Sequence, residues 1–243
     1  MSLERGDQSS IGEYIPLYVN PKGLKVLVVG GGSVGSRRAI MFRNAGAKVT
    51  VVGNEFSETL LGARYVELRR LTLPDDFEIL ERLVDESDIV VVALGDESLA
   101  RKVASMALAK GKLVNNAVDH RMGNVIVPFS SNVAGLSIAI TSFGATGFAT
   151  RLALEKVVEL LEKDLEVNAA YKALSKLKTV IKSTVKDPKV RMKVYYTIHE
   201  DEEFRSYVKR GEWKSAYLRG LKIMESLGVT LNPSHYIVSQ DLE

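Results

Sequence analysis

The chain has 243 residues, 46% hydrophobic and 26% charged, the composition of an ordinary globular protein with room for one large domain or two small ones. Its 33 basic and 30 acidic residues leave a net charge of +3, too balanced for a nucleic-acid partner yet suited to a polyanionic small molecule. With no cysteine and three scattered histidines, His120, His199 and His235, disulfides, thiolate catalysis, cysteine-ligated metals and a local histidine metal motif are excluded, and no metal site is expected.

In chain order, the opening MSLERGDQSS mixes charges of both signs without an apolar core and reads as no secretory leader. The apolar runs are far too short to span a membrane, so a cytoplasmic protein with no membrane partner is expected. Residues 24–29 form an apolar strand that runs into Gly30-Gly31-Gly32-Ser33-Val34-Gly35. A helical pattern covers 33–45, with Val34, Ile40, Met41 and Ala45 on the stripe expected to face a sheet. Between strand and helix, the spacing Gly30-x-Gly32-x-x-Gly35 has a physical meaning. The first glycine permits a tight turn, the second lets the backbone approach a pyrophosphate, and the third lets helix and strand pack closely. A helix starting near Ser33 and Val34 aims free N–H groups and its positive end at the same phosphates.

Further strands are expected at 48–52, 65–69, 89–94 and 112–115, alternating with helices at 55–63, 77–86 and 97–110. This rhythm predicts an α/β fold, a Rossmann-type doubly wound parallel sheet that binds a dinucleotide at its carboxyl edge. The acid that usually holds the ribose, about twenty residues past the glycines, is missing; the second strand runs out into Gly53-Asn54-Glu55. Asn54 and Glu55 are the candidate ribose contacts, and a merely turn-forming Asn54 is the competing reading. No arginine stands there to grip a 2′-phosphate, so NAD is expected in preference to NADP. The backbone of Leu94 and Gly95, where the chain leaves the fourth strand, is expected to border the cofactor.

The fifth strand leads into Asn116-Ala117-Val118-Asp119. Asp119 falls past the carboxyl edge on the nicotinamide side, where a partly desolvated carboxylate of raised pKa would act as a general base. An aspartate capping a turn is the plainer reading. His120 beside it is a second candidate for proton transfer, or a structural or exposed residue. Two strands at 124–128 and 136–141, joined by Ser130-Ser131-Asn132-Val133-Ala134-Gly135, form a hairpin too small to stand alone. It needs a partner surface, in its own first domain or in another subunit. The stretch Thr141-Ser142-Phe143-Gly144-Ala145-Thr146-Gly147 offers hydroxyls, glycines and a helix start as a carboxylate cradle, or a flexible connector capped by Thr146. Arg151, one turn on, is a further carboxylate ligand.

From about residue 149 the pattern is helical to the end, with apolar spacing continuous from Ala153 through Leu165 to Ile181. Asp187-Pro188 opens a new helix, and a last one over 212–227 ends with Gly228 at its C′ position. The expected division is a nucleotide-binding domain at 1–117, an active-site and dimerisation segment at 118–150 and a helical region at 151–243.

Tyr14-Ile15-Pro16-Leu17-Tyr18-Val19, the strand into Gly30-Gly31-Gly32, Asn116-Ala117-Val118-Asp119, the stretch 125–128 and Ile140 to Gly147 occur here in one order and spacing. In these motifs, over about residues 14–165, the chain resembles the precorrin-2 dehydrogenase family, which includes part of siroheme synthase and bifunctional dehydrogenase–ferrochelatases. The resemblance implies NAD-dependent oxidation of precorrin-2 to sirohydrochlorin in siroheme synthesis. It implies NAD contacts at Ser33, Val34, Asn54 and Glu55, and Asp119 as the aspartate needed for dehydrogenation and, in bifunctional members, for chelation. Ser142 matches a serine at the active-site rim that is found phosphorylated in a relative. The hairpin and following helix match a homodimerisation segment. A substrate with eight carboxylates makes Asn116, Ser142, Gly144, Thr146 and Arg151 candidate substrate contacts, with Arg37, Arg38 and Arg121 as further anchors. Two departures stand out: the family's alanine-and-lysine pattern reads Val34-Gly35-Ser36-Arg37-Arg38, and the region after about 165 has no counterpart. Two alternatives stay open, an enzyme that also inserts Fe²⁺ and a non-catalytic NAD-binding partner module, which would have no use for Asp119.

Overall fold

The computed structural model describes residues 14–237. The MSLERGDQSS stretch read for a leader lies outside them. Strands and helices alternate as β1 (Lys25–Val29), α1 (Ser33–Asn44), β2 (Lys48–Gly53), α2 (Glu58–Leu61), β3 (Val66–Arg70), α3 (Phe77–Asp85), β4 (Ile89–Val92), α4 (Glu97–Ala109) and β5 (Leu113–Asn116). The five strands form one parallel sheet in the order β3-β2-β1-β4-β5, with Val26 paired to Val49 on one side and Ile89 on the other. This is the doubly wound arrangement expected. Chain order reverses between β1 and β4, so the crevice beyond Val29 and Val92 is the switch point where such sheets bind ligands.

β1 and β4 carry uninterrupted apolar runs because both of their faces are covered. Leu27, Val29, Val90 and Val92 pack with Leu80 and Val84 of α3 and Val103 and Ala104 of α4. Val26, Val28, Val51 and Val91 pack on the other face with Ala39 and Leu60. The stripe expected on α1 is not the one buried. Gly35, Ser36 and Ala39 face inward, and Met41 is exposed. The reason is steric: a Cβ on Gly35 would run into the Gly30 carbonyl oxygen, so this helix approaches the sheet through small residues.

The strand expected at 124–128 does not form. Asn124 Oδ1 instead accepts from the Val114 N–H (2.6 Å), Asn124 Nδ2 donates to the Lys112 carbonyl (3.1 Å), and Asn115 Nδ2 donates to the Val125 carbonyl (3.0 Å). Side-chain amides thus replace a ladder beside β5, and Pro128 has no N–H to offer one. The hairpin consists of β6 (Phe129–Val133) and β7 (Leu136–Ile140), with Val133 opposite Leu136. Its turn is only Ala134-Gly135, with φ of 50° and 76°, the two-residue form that matches strand twist. Ser130 to Val133, read as loop, are therefore strand.

By internal contacts the chain forms two units, one running to Pro128 and including Thr141–Gly147, the other holding Phe129–Ile140 and the described residues from Phe148 on. The helices of the second are α5 (Gly147–Lys163), α6 (Leu165–Thr184), α7 (Pro188–Glu200), α8 (Glu202–Lys209) and α9 (Trp213–Ser226). The apolar spacing that runs on past residue 163 conceals a break. Asp164 Oδ1 accepts from the Val167 N–H (2.9 Å) and starts a new helix, and Asn168 Nδ2 donates back to the Leu161 carbonyl (2.9 Å). Leu177, Ile181, Val194, Ile198, Leu221 and Met224 form the core here. Asp187 caps α7 ahead of Pro188 as expected. Gly228 (φ 81°) closes α9 with its N–H on the Glu225 carbonyl, while the Val229 N–H reaches the Met224 carbonyl, a complete Schellman ending. Among the described residues no helix is long and apolar enough to cross a membrane.

Candidate active site

The glycine loop is built by contacts that exclude side chains. Gly30 has φ 118°, and a Cβ there would run into the Ala93 carbonyl; one on Gly31 would run into the Glu55 carbonyl. These approaches bring three loops together at one edge of the sheet: residues 30–35, the turn at Asn54 and Glu55, and the loop at Leu94 and Gly95. A Cβ on Gly32, by contrast, would meet nothing within 4 Å. Gly32 is also the N-cap of α1 and makes no side-chain cap bond, so the first-turn N–H groups around exposed Ser33 and half-buried Val34 carry no side-chain cap. Open space, uncapped donors and a helix N-terminus fit a dinucleotide pyrophosphate. Asn54 and Glu55 are exposed directly past the end of β2. β4 ends at Val92, two residues short of the expected Leu94, and Asp96 Oδ1 accepts from the Leu99 N–H (2.9 Å) to start α4.

Asp119 sits just past β5 on a fixed backbone. Asn116 is buried, and its Oδ1 accepts from the N–H groups of Val118 (3.0 Å) and Asp119 (3.1 Å). Asp119 caps a 3-10 turn at His120–Met122 by accepting from the Arg121 N–H. The Arg121 guanidinium forks onto the same carboxylate, Nε to Oδ1 at 2.9 Å and Nη2 to Oδ2 at 3.1 Å. This fork, opposed by partial burial and helped by the Arg121 N–H, holds the Asp119 carboxyl below the usual carboxylate range. The expected raised pKa is thus overturned, since a charge partner outweighs desolvation. Asp119, His120 and Arg121 border a cleft of about 730 Å³, together with Thr141–Ala145 and with Glu97 and Arg101 of α4. That volume is in the range of small-molecule sites. Arg101 and Glu97 were not picked out from the sequence, although the helix after β4 starts at the same edge as the loop carrying Asp119.

The turn 141–147 lies against His120. Phe143 and Gly144 have φ of 52° and 81°, and a Cβ on Gly144 would run into the His120 ring. Ser142 Oγ accepts from the Thr146 N–H (3.1 Å) and donates to the Thr146 carbonyl (3.0 Å), so Ser142 and Thr146 brace each other. The Tyr14 and Phe143 rings stand 5.6 Å apart. Of the other arginines, Arg37 is exposed and Arg38 is half-buried, its Nη2 3.5 Å from the Val127 carbonyl. Arg151 belongs to the second unit and pairs with Glu155 at 2.9 Å. Asn115 Oδ1, beside Asn116, is buried without a hydrogen-bond partner among the described residues. No group of three or more metal-ligating side chains occurs among them.

Residues 17–129 match the family described as putative NAD(P)-binding. The chain is 34% identical over 152 residues to the siroheme synthase of Neisseria meningitidis serogroup C, covering 63% of this chain and 31% of that protein. It is 35% identical over 153 residues to siroheme synthase 1 of Cronobacter sakazakii, covering 63% and 32%. A putative precorrin-2 dehydrogenase of Methanocaldococcus jannaschii is 26% identical over 203 residues, covering 81% of this chain and 95% of that one. The chain therefore spans about a third of the siroheme synthases it matches. Among solved structures, SirC, a precorrin-2 dehydrogenase, superposes with a TM-score of 0.62 at 20% identity, over 88% of this chain and 99% of that one, and so shares the fold.

Proposed function

We propose that the chain, which is similar to siroheme synthases and to a putative precorrin-2 dehydrogenase, oxidises precorrin-2 to sirohydrochlorin with NAD⁺. The observation that carries the reading is Asp119, forked by the Arg121 guanidinium, in a cleft past β5 and in the same unit as a glycine loop shaped for a dinucleotide. When bound, NAD⁺ supplies the hydride acceptor. The macrocycle would lose two hydrogens, one as a hydride that the bound cofactor would accept and one as a proton left to this chain, to balance as sirohydrochlorin, NADH and H⁺. In this assignment the backbone around Gly30, Gly32, Ser33, Val34 and Gly35 holds the pyrophosphate, Asn54 and Glu55 the ribose, and the backbone of Leu94 and Gly95 the neighbouring part of the cofactor. Asp119 takes the proton, and as a carboxylate it is in the form that can do so. Asn116 fixes its backbone. Asn116, Ser142, Gly144 and Thr146 are assigned to the substrate.

NAD is the preferred cofactor, since Gly53 to Ser57 contains no basic residue for a 2′-phosphate. We assign a cytoplasmic location and a homodimer. The hairpin supports the dimer: Phe129 and Leu136 are 44% and 39% exposed on a two-stranded sheet, and Phe148 and Leu160 of α5 are 82% and 66% exposed. A two-stranded sheet is marginal without a partner. In this reading segment 118–150 serves twice, its ends carrying the site and its hairpin the subunit contact. The test is the absorbance spectrum of precorrin-2 incubated with the protein and NAD⁺. Conversion to the sirohydrochlorin spectrum with stoichiometric NADH supports the reading, and an unchanged spectrum rejects it; Fe²⁺ or Co²⁺ added afterwards tests for chelation.

A further inference from the structure

Arg121 has no part in the hydride step, yet it is the residue most fully bound to the proposed base. It gives Asp119 two guanidinium bonds and a backbone bond. The partners differ sharply in exposure, with side chains 25% accessible for Asp119 and 78% for Arg121. The backbone beneath them is held from both sides. Asn116 Oδ1 binds the Val118 and Asp119 N–H groups, Met122 N–H bonds the Asp119 carbonyl at 3.0 Å, and a Cβ on Gly123 would stand 2.6 Å from the Val114 carbonyl oxygen. What is left to move is the arginine side chain. An ion pair with one member so exposed contributes little net free energy, so a ligand bearing several carboxylates competes well for the guanidinium. Besides this pair, the titratable or charged side chains bordering the cleft are His120 on the same turn and Glu97 and Arg101 on α4; the turn Thr141–Ala145 brings none.

We infer that Arg121 is a carboxylate-exchange clamp: it forks onto Asp119 in the free protein and passes to a side-chain carboxylate of an entering polycarboxylate tetrapyrrole, uncovering Asp119. The inference rests on the dehydrogenase reading for the identity of that ligand. Its chemical consequence is a coupling. The contact that weakens Asp119 as a base is removed by the substrate itself, so base strength rises when an acidic macrocycle is in place. A ring without carboxylates gains neither the arginine contact nor an uncovered base, which makes Arg121 a specificity device as well.

The experiment follows the ¹³C carboxyl signal of Asp119 through a pH titration of the whole protein, alone and with uroporphyrin, an aromatic macrocycle carrying eight carboxylates. Saturating uroporphyrin is expected to raise the Asp119 midpoint, and a tetracationic porphyrin is expected to leave it in place. Arg121→Gln is expected to start at the higher midpoint without ligand and to bind uroporphyrin about tenfold more weakly, the loss of one forked charge-assisted contact. Arg121→Lys, keeping the charge but not the fork, is expected between the two. A midpoint unmoved by saturating uroporphyrin, no binding of uroporphyrin, or equal affinity in wild type and Arg121→Gln overturns the clamp. If the midpoint moves as expected but precorrin-2 is not oxidised, the dehydrogenase reading fails and the clamp stands as a polycarboxylate-binding device.

Discussion

Substituting Gly32 and Gly35 separately by alanine divides what the glycine loop does for the cofactor from what it does for the fold. At Gly35 the new methyl would run into the Gly30 carbonyl oxygen, lie 3.0 Å from the Gly30 carbonyl carbon and 3.4 Å from Val28 Cγ1. None of these atoms is the end of a flexible side chain, so α1 and β1 must part, at a cost of about 1–3 kcal/mol. At Gly32 the methyl meets nothing within 4 Å, and φ −74° with ψ −169° suits alanine, so only a modest N-cap loss is expected, under about 1 kcal/mol. Each kcal/mol lowers the melting temperature of a domain of about 100 residues by roughly 4–8 °C. Gly35→Ala is therefore expected to lower both the melting temperature and NADH affinity. Gly32→Ala is expected to keep most of its thermal stability while losing about tenfold or more in NADH affinity, because its methyl occupies the approach to the pyrophosphate. Thermal melts and NADH fluorescence titration read the two effects independently. Wild-type NADH affinity in Gly32→Ala, or wild-type stability in Gly35→Ala, refutes the argument.

Asp119→Asn is expected to lower precorrin-2 oxidation by about 10²–10⁴-fold, the usual cost of losing a general base, with NADH affinity within about twofold of wild type; turnover within a few-fold of wild type would make Asp119 a turn residue only. In the helical unit, Asp201 Oδ1 caps α8 through the Phe204 N–H and its carboxylate forks onto Arg219. The Arg219 fork, then the cap, holds its carboxyl below the usual range, so its contribution to stability is complete above that range and is lost as pH falls through the lowered value. Asp201→Asn keeps a cap and loses the pair; Asp201→Ala loses both and is expected to be about 1 kcal/mol less stable still, and denaturant titrations at neutral and acid pH should show the wild-type advantage vanishing in acid. Sedimentation at micromolar concentration is expected to show a dimer that Leu136→Asp in β7 dissociates, whereas a wild-type monomer would remove the hairpin's proposed role.

Legibility in the sequence followed the kind of constraint each element satisfies. β1 and β4 are visible as apolar runs because burial on both faces leaves no polar position to interrupt them. The stripe on α1 was misplaced because its contact with the sheet is made by Gly35, Ser36 and Ala39, and close approach through small residues leaves no mark in hydrophobic periodicity. Residues 125–127, Val-Ile-Val, look like a strand by the same periodicity, but their neighbours offer the amides of Asn115 and Asn124 in place of a ladder. The break between α5 and α6 was hidden for a related reason. Apolar spacing runs straight across it, and only the capping bond of Asp164 shows where the helix restarts.

The site divides along the same line. A glycine requirement is written directly into the chain, since it states where no Cβ can be, and the loop at Gly30 to Gly35 was legible for that reason. The ionisation of a carboxylate is a property of its surroundings. Burial alone argued that Asp119 is a strengthened base; the 3-10 turn folds Arg121 back on it and reverses the sign. The reversal rests on a partner only two residues away, so an aspartate capping a turn with arginine at i+2 was the available signal, and it points to competition. The same two oxygens accept a turn N–H, a guanidinium fork and, in the proposed reaction, a proton. The turn N–H is fixed by the backbone and the proton comes from the substrate, which leaves the guanidinium as the one partner that can be exchanged. Whatever draws Arg121 away sets how strong a base Asp119 becomes, and in the proposed reaction the substrate, a macrocycle with eight carboxylates, is the ligand best equipped to do so.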